Sequence, residues 1–144
     1  MPSKYQNIIS FLPSATEILF ELDLDKFLRG VTHACIYPEE AKDKPKIITC
    51  SIYVNNLDSS EIDKKIKELY VNNKKLFILD FEKIKTIQPD LVISQNVCEV
   101  CAPPFENELV KIREILGYMP RNLVLNPKTL DEIIDTIVTV GKEV

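Results

Sequence analysis

Short apolar runs and amphipathic stretches alternate along the whole chain, and most changes of period carry a start or stop signal. Asn7 to Leu12 is an apolar run that ends at Pro13, and Ser14-Ala-Thr-Glu17 supplies an N-cap with Glu three residues on. A strand thus feeds a capped helix that reaches about Asp23. Phe27 to Val31 reads as a second strand, ending at Thr32-His33-Ala34-Cys35, and Ile36 to Pro45, rich in Pro, Glu and Lys, reads as a loop. Ser59 opens a helix with Ile62, Ile66 and Leu69 on one face and lysines on the other. Leu76 to Leu79 is strand-like, Phe81 to Gln88 is a short helix stopped by Pro89, and Leu91 to Ser94 is the most strand-like segment of all. Pro103 and Pro104 suit a helix start, with Phe105 to Leu116 following and Gly117 as its stop. After a last strand, Leu123 to Leu125, a second capping box at Thr129-Leu-Asp-Glu132 leads a helix whose Ile133, Ile137 and Val140 form an apolar stripe running almost to Val144.

Parallel strands need crossovers, which helices usually supply, so this alternation predicts a Rossmann-like α/β fold: a parallel sheet with helices on both faces. At 144 residues, 45% of them hydrophobic and 28% charged, the chain suits one globular domain, residues 1–144, with no internal repeat. A net charge of −4 with both signs interspersed excludes a basic stripe for nucleic acid or an anionic membrane surface. The first residues show no basic segment followed by a long apolar one, so the chain as written reads as cytoplasmic, and as extracytoplasmic if a leader preceded it.

In open parallel sheets, ligands bind beyond the carboxyl ends of the strands. Leu12 to Thr16, Thr32 to Cys35 and Gln95 to Cys101 all follow predicted strands, so the three loops share one edge. The only histidine and three of the four cysteines gather there. Cys98 and Cys101 have the spacing of a zinc or iron–sulfur half-site, and His33 with Cys35 would complete four soft ligands. The same pair at a strand-to-helix junction fits a thiol-redox motif, against which Glu99 between the cysteines counts. Small buried cysteines in a tight turn fit it as well. His33 also reads as a structural hydrogen-bonding residue, and Cys50 as core. Ser14 lacks the G-x-S-x-G context of a nucleophile and already has a capping role. With three glycines (Gly30, Gly117, Gly141), a glycine-built phosphate cradle is excluded.

Four stretches together, Ile9 to Leu19, Gly30 to Pro38, Gln88 to Gln95 and Cys98 to Ala102, resemble the cobalamin and iron–siderophore substrate-binding proteins of ABC importers, most closely the cobalamin-binding branch. The resemblance runs from about Ile8 to Val140 and covers the N-terminal lobe of a two-lobed receptor. It implies two Rossmann-like lobes joined by a long rigid helix, of which residues 128–144 would be the start, with ligand held in the cleft between lobes. The loops Leu12 to Thr16, His33 to Tyr37 and Gln95 to Ala102 would form one cleft wall. The departures are a missing second lobe, no signal peptide or lipid-anchor cysteine, and no tryptophan.

The expectation is a non-enzymatic lobe binding cobalamin or a related metal chelate. Pro13, Ser14, Thr32, His33, Tyr37, Tyr53, Gln95 and Asn96 are the candidate ligand-binding residues. Tyr37, Tyr53 and Phe105 would give apolar contact, Ser14, Thr32 and Gln95 hydrogen bonds, and His33 an approach to the ligand's metal. Two alternatives stand beside it: a cytoplasmic metal-ion protein, with zinc or iron on His33, Cys35, Cys98 and Cys101, and a thiol-redox or chelatase-like enzyme. Expected partners are the chelate, an ABC permease and a second copy docked on the exposed cleft face, with neither nucleic acid nor membrane insertion.

Overall fold

The computed structural model describes residues 3–52, 55–96 and 106–144. Six strands form one sheet: β1 (Ile8–Ser10), β2 (Leu28–Thr32), β3 (Lys46–Cys50), β4 (Phe77–Leu79), β5 (Leu91–Gln95) and β6 (Arg121–Leu125). Their order is β4-β3-β2-β1-β5-β6. Five helices connect or follow them: α1 (Pro13–Glu21), α2 (Ser59–Val71), α3 (Phe81–Ile87), α4 (Glu106–Leu116) and α5 (Leu130–Glu143). The predicted α/β class holds.

β1 is the centre, paired in parallel with β2 on one side and β5 on the other. Its residues are wholly out of water, and their alternation seeds both cores. Ile8 packs with Leu12, Ala15 and Leu19 of the α1 side, together with Leu123, Leu125 and Val140. Ile9 packs on the other face with Ile47, Ile48, Ile84 and Ile112, from β3, α3 and α4. At Gly30 in β2, an added methyl would lie 2.9 Å from Ile47 and 3.2 Å from Ile9, so only glycine lets the second layer close on the sheet here.

Three expectations are corrected. The segment Lys46–Cys50 is a full strand, and Cys50 is half-exposed rather than core. β4 pairs antiparallel with β3, Cys50 opposite Phe77, so the sheet is parallel except at that edge. Helix α1 has no side-chain cap: Pro13 takes the first turn, where its missing N–H costs nothing, and Ser14 lies inside the helix. The α5 stripe is mostly uncovered, since Val140 is fully buried while Ile133 is 53% and Ile137 44% exposed. The Thr129 cap does form, accepting from the Glu132 N–H at 3.2 Å, although the Glu132 carboxylate takes the N–H of Lys128. Gly117 stops α4 with φ of +76°, as its position predicts.

Two carboxylates tie the layers together. Asp90 accepts from the backbone N–H groups of Gln6 at 2.7 Å and Asn7 at 3.0 Å, which fixes the entry to β1 beside β5. Glu143 at the end of α5 accepts from the Tyr5 hydroxyl at 2.7 Å, and from Arg121 and Lys4. The Tyr5 hydroxyl, with Arg121 and Lys4 behind it, holds Glu143 below its usual value of 4.5 against the opposing effect of burial.

Asp90→Ala should cost about 2 kcal/mol in urea unfolding at unchanged m, the worth of charge-assisted bonds at a part-exposed site, with Asp90→Asn in between. Since the Glu143 pKa is depressed in the folded state, its contribution is complete above 4.5 and is lost as pH falls through the folded value. The melting temperature of the native chain should therefore drop on acidification in that window, and Glu143→Gln should flatten the drop.

Candidate functional site

The parallel strands β1, β2, β3, β5 and β6 all deliver their carboxyl ends to one edge. The direction of strand order reverses between β1 and β5, the place where open α/β sheets form a crevice. Ser10 sets the turn there: its hydroxyl donates to the Leu12 carbonyl at 2.8 Å, and the Phe11 N–H donates to Ile93 of β5 at 2.9 Å. Pro13 and Ser14 then open α1 at the rim of the crevice. Ser14 is exposed and Gln95, the last residue of β5, is half-buried; both line a groove of ≈ 510 Å³ between α1 and α5. Asn96 beside them is exposed.

The loop after β2 behaves differently. Thr32 is buried, its hydroxyl accepting from the Ala34 N–H at 3.1 Å and lying 3.4 Å from the Cys35 sulfur. Thr16 of α1 meets the same sulfur at 3.2 Å, so Cys35 is a packed core side chain that fastens this loop to α1. His33 is exposed, its backbone N–H bonded to Ile48 and its ring 6.0 Å from that of Phe77. Tyr37 is exposed as well. Cys35 thus lies in the core and His33 in solvent. Cys98, Cys101, Tyr53 and Phe105 lie outside the described residues. Among the described residues, no group of three or more His, Cys, Asp or Glu side chains is placed to hold a metal ion.

The antiparallel β4 adds residues that the sequence pattern did not assign to this edge. Phe77 begins β4 opposite Cys50, so Lys75 and Leu76, which hold the Ser51 hydroxyl through their carbonyls, also sit at the carboxyl edge. Lys75 is paired with Glu108, a buried carboxylate near the start of α4. A lysine stem ahead of an edge strand carries no signal of such a pairing.

No protein-family model matches the chain, and no curated relative does. Solved structures match. A periplasmic vitamin B12 binding protein of Vibrio cholerae, BtuF, is 28% identical with a TM-score of 0.63, over 99% of this chain and 42% of that one. The chain has the build of one lobe of these periplasmic binding proteins. A periplasmic heme binding protein from Pseudomonas aeruginosa shares the fold at 19% identity and a TM-score of 0.59, over 96% of this chain and 38% of its own. The petrobactin-binding protein YclQ from Bacillus subtilis shares it at 17% and 0.55, over 99% and 41%. The lobe therefore spans about two fifths of the length of each. No helix among its described residues is long and apolar enough to cross a membrane.

Native-state alkylation with iodoacetamide, mapped by peptide mass spectrometry, should label half-exposed Cys50 and leave Cys35 protected until the chain unfolds. Equal labelling of the two in the native protein would show that the Thr16–Cys35–Thr32 packing is not the solution state.

Proposed function

We infer that the protein is a substrate-binding lobe of ABC-importer type for a metal chelate, with cobalamin the leading ligand. One observation carries this: the 28% identical structure that spans nearly the whole chain is that of a vitamin B12 binding protein. The likeness to heme and petrobactin binding proteins supports the wider class of chelates through the fold alone. The matched proteins bind solutes, which supports a role without turnover. Their periplasmic setting favours an extracytoplasmic location, and a permease is then the partner. In this reading, residues 128–144 begin the helix that leads to a second lobe.

The chemistry at the carboxyl edge fits a large amide-bearing macrocycle. Ser14, Gln95 and Asn96 offer hydroxyl and amide groups to the ligand's periphery, and Pro13 fixes the direction of α1 behind them. Tyr37 supplies an exposed aromatic face, and Tyr53, outside the described residues, is assigned the same role. His33 is the side chain that approaches the ligand's metal, because a neutral imidazole suits cobalt and iron. Thr32 and Cys35 serve this wall from behind, by holding the loop that carries His33 and Tyr37. A lobe on its own encloses one side of a ligand, so its affinity is below that of a two-walled cleft.

Visible-absorption titration of hydroxocobalamin should give a saturable shift. Ser14→Ala and Gln95→Ala should each weaken binding about fivefold, the worth of one hydrogen bond. His33→Ala should change the bound spectrum. No shift with hydroxocobalamin, haemin or a ferric siderophore would end the proposal.

A further inference from the structure

Lys46, the first residue of β3, is a half-buried lysine that strand pairing does not require. Its neighbour Ile47 enters the core shared with α3 and α4, so the Lys46 side chain leaves the sheet on the opposite face, the one to which Cys35 belongs. There its ammonium meets the loop between β2 and β3 and donates to two backbone carbonyls, that of Cys35 at 3.1 Å and that of Ala41 at 2.8 Å. Burial holds its pKa below the usual 10.5, against the pull of Cys35 and Asp43. An ammonium gives up hydration at little cost only where other acceptors replace the water, and here the replacement is the loop's own backbone.

The two carbonyls bracket one short span, Ile36 to Glu40. Both of its ends are fixed. Cys35 is buried against Thr16 and Thr32, and Ala41 is buried with its N–H donating to the Pro38 carbonyl at 2.9 Å. Between them Ile36 and Tyr37 stand adjacent and are each 62% exposed. A loop with free ends would fold two such side chains back onto apolar surface, since burial is what large apolar groups gain most from. One ammonium bound to both ends fixes the width of the span and keeps the pair displayed. Lys44, two residues earlier, donates instead to the Asp25 carbonyl at 2.7 Å, outside the bracketed span.

We propose that Lys46 is a positioning residue for the ligand site: by clasping the carbonyls of Cys35 and Ala41, it holds Ile36 and Tyr37 outward as an apolar platform for the ligand. The proposal rests on the reading of the carboxyl edge as a binding wall. Lys46 itself touches no ligand, and it acts by lowering the ordering cost that binding would otherwise carry.

The test needs one signal that is independent of ligand. The chain has no tryptophan, so Tyr37→Trp places a single indole on the span. In the ligand-free protein, Lys46→Met, which keeps the stem and removes the donors, should lower the anisotropy of that indole and raise its quenching by acrylamide. Lys46→Arg should restore both, and Lys44→Met should move neither, with circular dichroism confirming that each variant is folded. In the chain that retains Tyr37, Lys46→Met should weaken hydroxocobalamin binding about tenfold and Lys46→Arg should recover most of it. An indole signal unmoved by Lys46→Met, or loosened equally by Lys44→Met, would overturn the clasp. A loosened span with unchanged affinity would overturn its role in binding. If the unaltered protein binds none of hydroxocobalamin, haemin or a ferric siderophore, the functional reading falls, and the ligand-free signal still decides the clasp.

Discussion

The structure depends on a three-residue strand that has no access to water. Ile8, Ile9 and Ser10 lie between β2 and β5, and the pleat sends the first two into opposite layers. Neither core can form without the other, because the same backbone segment is the wall of both. Asp90 reinforces the arrangement by holding the N–H groups just ahead of the strand, where no sheet ladder would satisfy them. Ser10, the third residue, turns inward and bonds the next turn, so the central strand also determines where α1 begins.

The candidate site is a consequence of that centre. Chain order runs outward from β1 to β2 and β3 on one side and resumes at β5 on the other, so the connections leaving β1 and β5 diverge and cannot cover the space between them. Ser14 and Gln95 stand at its rim for topological reasons. His33 and Tyr37 reach the same edge from the flank, on a loop that Thr32 and Cys35 fasten from beneath. The candidate binding groups are thus carried on turns, while the groups that stiffen those turns are buried.

Much of this was legible in the residues. The periods of the apolar positions located five of the six strands and all five helices, and the rule of strand ends brought the three loops together. The failures have physical causes. Lys46-Ile-Ile-Thr-Cys50 is short and follows a lysine- and proline-rich loop, so the pattern assigns no strand to it and Cys50 alone is read there, as core. Strand direction is not written in a run such as Phe77-Ile-Leu79: pairing to the neighbour decides it. The Ser14 to Glu17 pattern is a capping box in composition, yet Pro13 is already inside the helix and displaces the register by two residues. For α5, periodicity identified an apolar face but could not say how little of it this lobe would cover. That Cys35 would be buried and His33 exposed was also out of reach, since alternation along an irregular loop has no fixed period.

The reversed strand β4 has an evolutionary consequence. A wholly parallel sheet gives its carboxyl edge one loop per strand, each leading away into a crossover. Because β4 starts where β3 ends, both segments flanking α2 return to that edge, and α2 with its neighbours is an appendage hung between two adjacent strand termini. Such an appendage can lengthen, shorten or be exchanged without rethreading the sheet. Selection therefore has a module through which to reshape the rim around His33 and Phe77 while the two cores stay as they are.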